Sequence, residues 1–191
     1  ALTAFSVRST LCLTRAELLA LGVSPRSIAA SVHAGQVIRA RRGVYAPASA
    51  PTHVVRALRV GGLAACTTAA ESFGLWVPEQ RLTEVWLPRQ ASRLRSAHSR
   101  RVPLALADRT HLRTHWHPLV DPRTADSWRV GRLDAVAQCV RCLPRELAIA
   151  VLDSALSVGA IGAHELPGIE AVVPNDRRPW VSLADGRAGS G

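Results

Sequence analysis

Between Thr14 and Gly43 the sequence marks where two helices start and stop and where a hairpin turns. Thr14-Arg15-Ala16-Glu17 is a capping box: the Thr14 hydroxyl can cap the helix start while Glu17 reaches back to the Thr14 amide. Ala16, Leu18, Leu19 and Leu21 supply an apolar side, and Gly22 stops the helix. One residue later Ser24 is an N-cap, and Pro25 fills the first helical position, where its missing N–H costs nothing. A second helix runs from about Pro25 to Ala34, with Ile28 and Val32 inward, and Gly35 ends it. Gln36 to Ala40 is extended, Arg41-Arg42-Gly43 is a hairpin turn, and Val44-Tyr45 begins the return strand.

Helix, tight glycine turn, short helix and basic hairpin, in that order, predict a winged helix-turn-helix. In such a unit the second helix enters the major groove, its N-terminal residues nearest the base edges. Ser24, Arg26, Ser27, Ala30, Ser31 and His33 lie at that end or off the apolar stripe and are the candidate base-reading positions. Arg39, Arg41 and Arg42 sit on the hairpin, suited to phosphate or minor-groove contact. A trihelical unit can instead dock protein, which keeps a structural-partner reading open. A short helix is also expected over residues 3–12.

Charge supports a polyanionic partner. The chain of 191 residues carries a formal net charge of +10, and every basic side chain is Arg. A GC-rich coding bias accounts for the missing Lys, but the excess over acids still creates a positive field. Arg is also the better bidentate donor to phosphate and guanine. Arg89, Arg93, Arg95, Arg100 and Arg101 form the densest basic run, read either as a second DNA contact, with Arg93 and Arg95 as its candidates, or as a solvated loop.

The expected fold class is α+β: a winged helix-turn-helix over 1–50, a mixed helix/strand domain for scaffolding, dimerisation or further DNA contact over 51–183, and a flexible tail over 184–191. Ala46 to Pro51 reads as a linker, Thr52–Val60 and Leu63–Phe73 as helices, and Thr83–Leu87 as a half-buried strand ended by Pro88. Residues 111–117 alternate, placing His111, Arg113, His115 and His117 on one strand face. Trp128–Val130 suggests an edge strand, followed by helices over 131–143 and 145–158 and a small one starting near Ala163.

Catalysis lacks positive support. There is no phosphate-binding glycine loop, Gly-x-Ser-x-Gly or His-Glu-x-x-His, and Glu146 and Asp153 are candidate acids only by elimination. The carboxylates are scattered, whereas a nuclease clusters them around a divalent ion. Cys12, Cys66, Cys139 and Cys142 fall in apolar contexts and read as buried thiols. Cys139 and Cys142 have metal-pair spacing but lie within a helix without a second pair, and the histidines lack a thiol or carboxylate at persuasive spacing. The expectation is a non-enzyme without metal or cofactor. No transmembrane-length stretch or signal-peptide pattern is evident, so a cytoplasmic location is expected.

The stretch TRAELLALGVSPRSIAASVHAGQVIRARRGVYAPASAP, residues 14–51, resembles the winged helix of AbiEi-type antitoxins of type IV toxin–antitoxin systems. TTAAESFGLW, VWLPR, LRTHW and LAIAVLDSAL resemble related actinobacterial proteins, many of which continue into a Vsr-like endonuclease domain that this sequence lacks. The resemblance implies DNA contact through Arg26, Ser27, Ser31, Arg41 and Arg42. It implies a sequence-specific duplex-binding repressor, an autoregulating antitoxin with a cognate toxin among the forms this takes. The alternative is the DNA-binding portion of an endonuclease. Either a homodimer or a monomer with two contact regions would satisfy the need for buried surface.

Overall fold

The computed structural model describes residues 12–79 and 82–187. Most of the expected 3–12 helix lies outside them. The arrangement is α+β, with an N-terminal α/β region and a further helix/strand region. The first region holds β1 (Leu13–Thr14), α1 (Arg15–Ala20), α2 (Pro25–His33), β2 (Val37–Arg41) and β3 (Val44–Pro47). The capping box is formed: Glu17 N donates to Thr14 Oγ1 at 3.2 Å, and Thr14 N donates to Glu17 Oε2 at 2.8 Å. Ser27 N donates to Ser24 Oγ at 3.1 Å, capping α2. Gly22 and Gly35 take φ of +78° and +68°, the left-handed geometry that ends each helix.

The three strands are antiparallel in the order β1-β3-β2. Strand side chains alternate between faces, and here both faces are covered. Leu13, Val37 and Tyr45 pack with Leu18 and Ile28 of the two helices. Ala40, Val44 and Ala46 pack with α3 (Thr52–Val60), along with partly buried Ile38. This second cluster spans residue 50, and Ala46 and Pro47 belong to β3 rather than to the expected linker.

The second region is built on β4 (Leu63–Ala64), β5 (Thr83–Trp86) and β6 (Leu112–His115), with β5 central, antiparallel to β4 and parallel to β6. The helix expected over 63–73 divides into β4 and α4 (Cys66–Ser72). Close packing sets the division: a Cβ on Gly62 would lie 2.2 Å from the Trp86 carbonyl oxygen, so the chain can pass against β5 there. β5 is not half-buried as expected: Thr83, Glu84 and Val85 are all buried because both faces carry a core. Val85 and Leu112 face α3, whereas Trp86 packs toward α4, α5 (Arg132–Cys142) and α6 (Arg145–Ser157). The expected 128–130 edge strand is a single bridge, Ala64 to Arg129.

Two short helices, α7 (Leu166–Val172) and α8 (Arg178–Val181), close the C-terminal core. The tail contacts the body at Asp185. Asp185 N donates to Asp153 Oδ1 at 2.7 Å, which gives Asp153 a structural role. No described helix is long and apolar enough to cross a membrane.

Candidate nucleic-acid interface

The two sequence-distant basic regions meet. A concavity of about 450 Å³ lies between the β2–β3 hairpin, the end of α3 and the β5–β6 connection. Seven arginines line it, Arg39, Arg41, Arg42, Arg59, Arg93, Arg95 and Arg100, and its other five lining residues include no acid. Four backbone and side-chain features assemble it.

First, β2 is irregular between Arg39 and Arg41, which pair with Tyr45 and Val44. The bulge buries Ala40 in the core and leaves the flanking arginines on the cavity wall. Second, Arg41 is the last residue of β2, so the exposed tip is Arg42-Gly43, and the two-arginine tip expected from the sequence reduces to one. Arg41 instead leans over Gly61, where an added Cβ would lie 3.4 Å from its Nη1.

Third, the β5–β6 connection folds back on itself. Ser96 N donates to the Val102 carbonyl at 2.9 Å, Leu104 N to Leu94 at 3.1 Å, and Arg95 N to the Val60 carbonyl at the end of α3 at 3.2 Å. Leu94 and Ala97 pin it apolarly to the central core. Fourth, Asp108 braces it from behind, accepting from Ser96 Oγ at 2.6 Å and Ala105 N at 2.9 Å. Burial pushes the Asp108 carboxyl up, but those hydrogen bonds outweigh it and hold the group below the usual carboxylate range. Arg93 has φ +56°, a left-handed backbone uncommon for a side chain of its size, at the cavity rim.

Among the described residues that line it, the cavity has no acidic counter-charge. Burial lowers the Arg41 pKa, and burial together with Arg56 and Arg100 lowers that of Arg59. Arg stays protonated regardless, so the desolvation falls on guanidinium groups that keep their charge. Arg59 also donates to the His98 carbonyl at 3.3 Å, fastening the basic loop to α3. Sequence reasoning missed Arg59; the available signal was its place in the last turn of α3, between inward-facing Leu58 and Val60.

On the other side of β2, a second concavity of about 330 Å³ runs between α2 and the sheet, lined by Arg15, Pro25, Ile28, Ala29, Val32, His33, Arg39 and Tyr45. Arg39 lines both hollows, and its Nε is buried without a hydrogen-bond partner. Of the helix candidates, Ser24, Arg26, Ser27, Ala30 and His33 are exposed and Ser31 is half-buried. The hydroxyls of Ser24 and Ser27 are 2.9 Å apart, already engaged in the helix cap.

The histidine strand behaves differently. Of His111, Arg113, His115 and His117, expected on one strand face, only Arg113 and His115 lie in β6, opposite Glu84 and Trp86 of β5. His115 is buried, and the fold brings it the partners that sequence spacing hid: Glu84 Oε2 at 2.5 Å from Nε2 and Cys142 Sγ at 3.6 Å from Nδ1. Cys12, Cys66 and Cys139 are buried, as expected, and Cys142 is half-buried.

Residues 5–48 match a family model described as a transcriptional regulator, AbiEi antitoxin. No curated protein matches the chain.

Proposed function

We propose that this protein is a sequence-specific, duplex-DNA-binding transcriptional repressor of the AbiEi-antitoxin type, in which residues 13–47 act as a winged helix-turn-helix. The observation that carries the reading is the seven-arginine concavity, joined through Arg39 to the hollow between α2 and the sheet that His33 also lines. The family match over 5–48 and the net charge of +10 support it. In this reading α2 lies in the major groove, with Arg26, Ser27, Ala30, Ser31 and His33 toward base edges and Ser24 ordering the helix start. Arg42 at the hairpin tip and the cavity arginines receive the adjoining phosphates. One continuous basic surface then replaces two separate contact regions, which lets a single chain bury more DNA than a winged helix alone.

The regulator acts without catalysis, and the family description makes a toxin partner the natural second interaction. The test is a binding selection over random duplexes at stated salt, followed by affinity measurements on the selected site. A defined motif is expected, palindromic for a dimer and single for a monomer. Loss of that binding in the Arg41→Ala/Arg42→Ala double variant is expected. Parental affinity in the double variant would remove the hairpin from the interface, and magnesium-dependent cleavage of the site would replace the regulator reading with a nuclease one.

A further inference from the structure

From the thiols gathered around His115 we infer a metal site, independent of the DNA-binding reading: Cys66, His115 and Cys142 hold a zinc ion that clamps the C-terminal core. The three donor atoms lie within 4.8 Å of one another, although they come from three elements far apart in sequence. Cys66 is the first residue of α4, His115 the last of β6 and Cys142 the last of α5.

The spacing suits a tetrahedral soft-metal site. Zn–S bonds of about 2.3 Å and Zn–N bonds of about 2.05 Å imply ligand edges of about 3.8 Å between sulfurs and about 3.6 Å between sulfur and nitrogen. Cys142 Sγ is 3.6 Å from His115 Nδ1. Cys139, one helical turn from Cys142, places its Sγ 3.8 Å from that of Cys66, making it the nearest further thiol.

The surroundings are those of a ligand set rather than of packed thiols. A metal-bound imidazole commonly gives its other N–H to a carboxylate, which fixes the tautomer and ring orientation. Here Nδ1 faces the thiols while Nε2 faces Glu84, itself fully buried. Glu84 Oε1 in turn accepts from Arg113 at 3.3 Å. With water in the fourth position two thiolates neutralise a zinc dication, and Arg113, whose side chain is half-exposed, pairs with the buried Glu84, so the site carries no net charge. Cys66 is also held in place, at φ +47°, by donation of its N–H to Gln138 Oε1 at 2.8 Å. Carboxylate-only ions such as magnesium do not suit two sulfur donors.

The experiment uses the full chain, purified under reductant without chelator. Zinc is expected equimolar with protein by elemental analysis, and its removal is expected to lower the melting temperature until zinc is returned. Cobalt(II) added to the metal-free chain is expected to give thiolate-to-cobalt charge transfer in the near ultraviolet and the intense visible bands of four-coordination. Cys66→Ser and Cys142→Ser are expected to lose the metal. Cys142→His, which exchanges one ligand type for another, is expected to retain it, and this separates ligation from mere packing. A folded, reduced parent that neither carries zinc nor yields the cobalt bands overturns the site, as does undiminished zinc in both serine variants.

Discussion

The convergence of the hairpin and the β5–β6 connection can be tested through counterion release. Each phosphate neutralised by Arg adds about 0.9 to the negative slope of log affinity against log salt on duplex DNA. Arg42 and Arg93 are both exposed on the cavity rim, so truncating either changes stability by no more than about 0.5 kcal/mol. Arg42→Ala and Arg93→Ala should each shallow the slope by about 0.9, and the double variant by about 1.8. Between about 50 and about 200 mM salt, the parent's affinity should then fall about 12-fold further than that of the double variant. Arg145, exposed at the start of α6, is the control, and Arg145→Ala should keep the parental slope. Fluorescence anisotropy on one duplex across a salt series supplies the numbers. If Arg42→Ala shallows the slope and Arg93→Ala does not, the seven arginines are not one phosphate surface. If neither does, the cavity is not part of the interface.

Further outcomes follow from the local geometry. Ser24→Ala removes the acceptor for Ser27 N and should cost about 1 kcal/mol in chemical denaturation; it should weaken binding to the selected site more than binding to random duplex. Gly62→Ala drives a Cβ against the Trp86 carbonyl and should destabilise by about 1–3 kcal/mol, read as a lowered melting temperature. Asp108 has a depressed folded pKa, so its contribution is fully present above the ordinary carboxylate value near pH 4 and is lost as pH falls through the lowered folded value. Melting temperatures measured from neutral pH downward should show an acid-side loss in the parent that is reduced in Asp108→Asn; identical pH profiles would refute the bracing role.

The parts legible in sequence were those written in consecutive residues. A threonine cap, a serine–proline start and two glycine stops each act within a turn of helix, and they placed α1 and α2 almost to the residue. The β2–β3 hairpin was equally readable, except that its bulge draws Arg41 off the tip. What stayed hidden depended on partners from elsewhere in the chain. Glu84 looks like the solvent-facing member of an alternating strand, but Arg113 and His115 from the neighbouring strand allow its burial. The two residues of β4 are too few to show any period and become a strand only against β5. α7 and α8 are short segments starting around prolines, so periodicity has little length to act on. Of the arginine surface, the members were visible but their meeting was not, because it requires the β5–β6 connection to fold back against the end of α3.

All four residues of β3, Val44 to Pro47, are buried, and this has a consequence for where the recognisable sequence stops. The family match ends at residue 48, just after a strand whose two sides have different owners. Tyr45 belongs to the helices before it, and Val44 and Ala46 belong to α3, which comes after. A polypeptide cut at that point would present Ile38, Ala40, Val44 and Ala46 as a bare apolar wall. The boundary that similarity draws is therefore not one along which the chain can be divided. α3 is the roof over that wall, and what it carries decides which side chains stand next to the hairpin. In this chain the roof ends in Arg59 and anchors the loop bearing Arg93, Arg95 and Arg100.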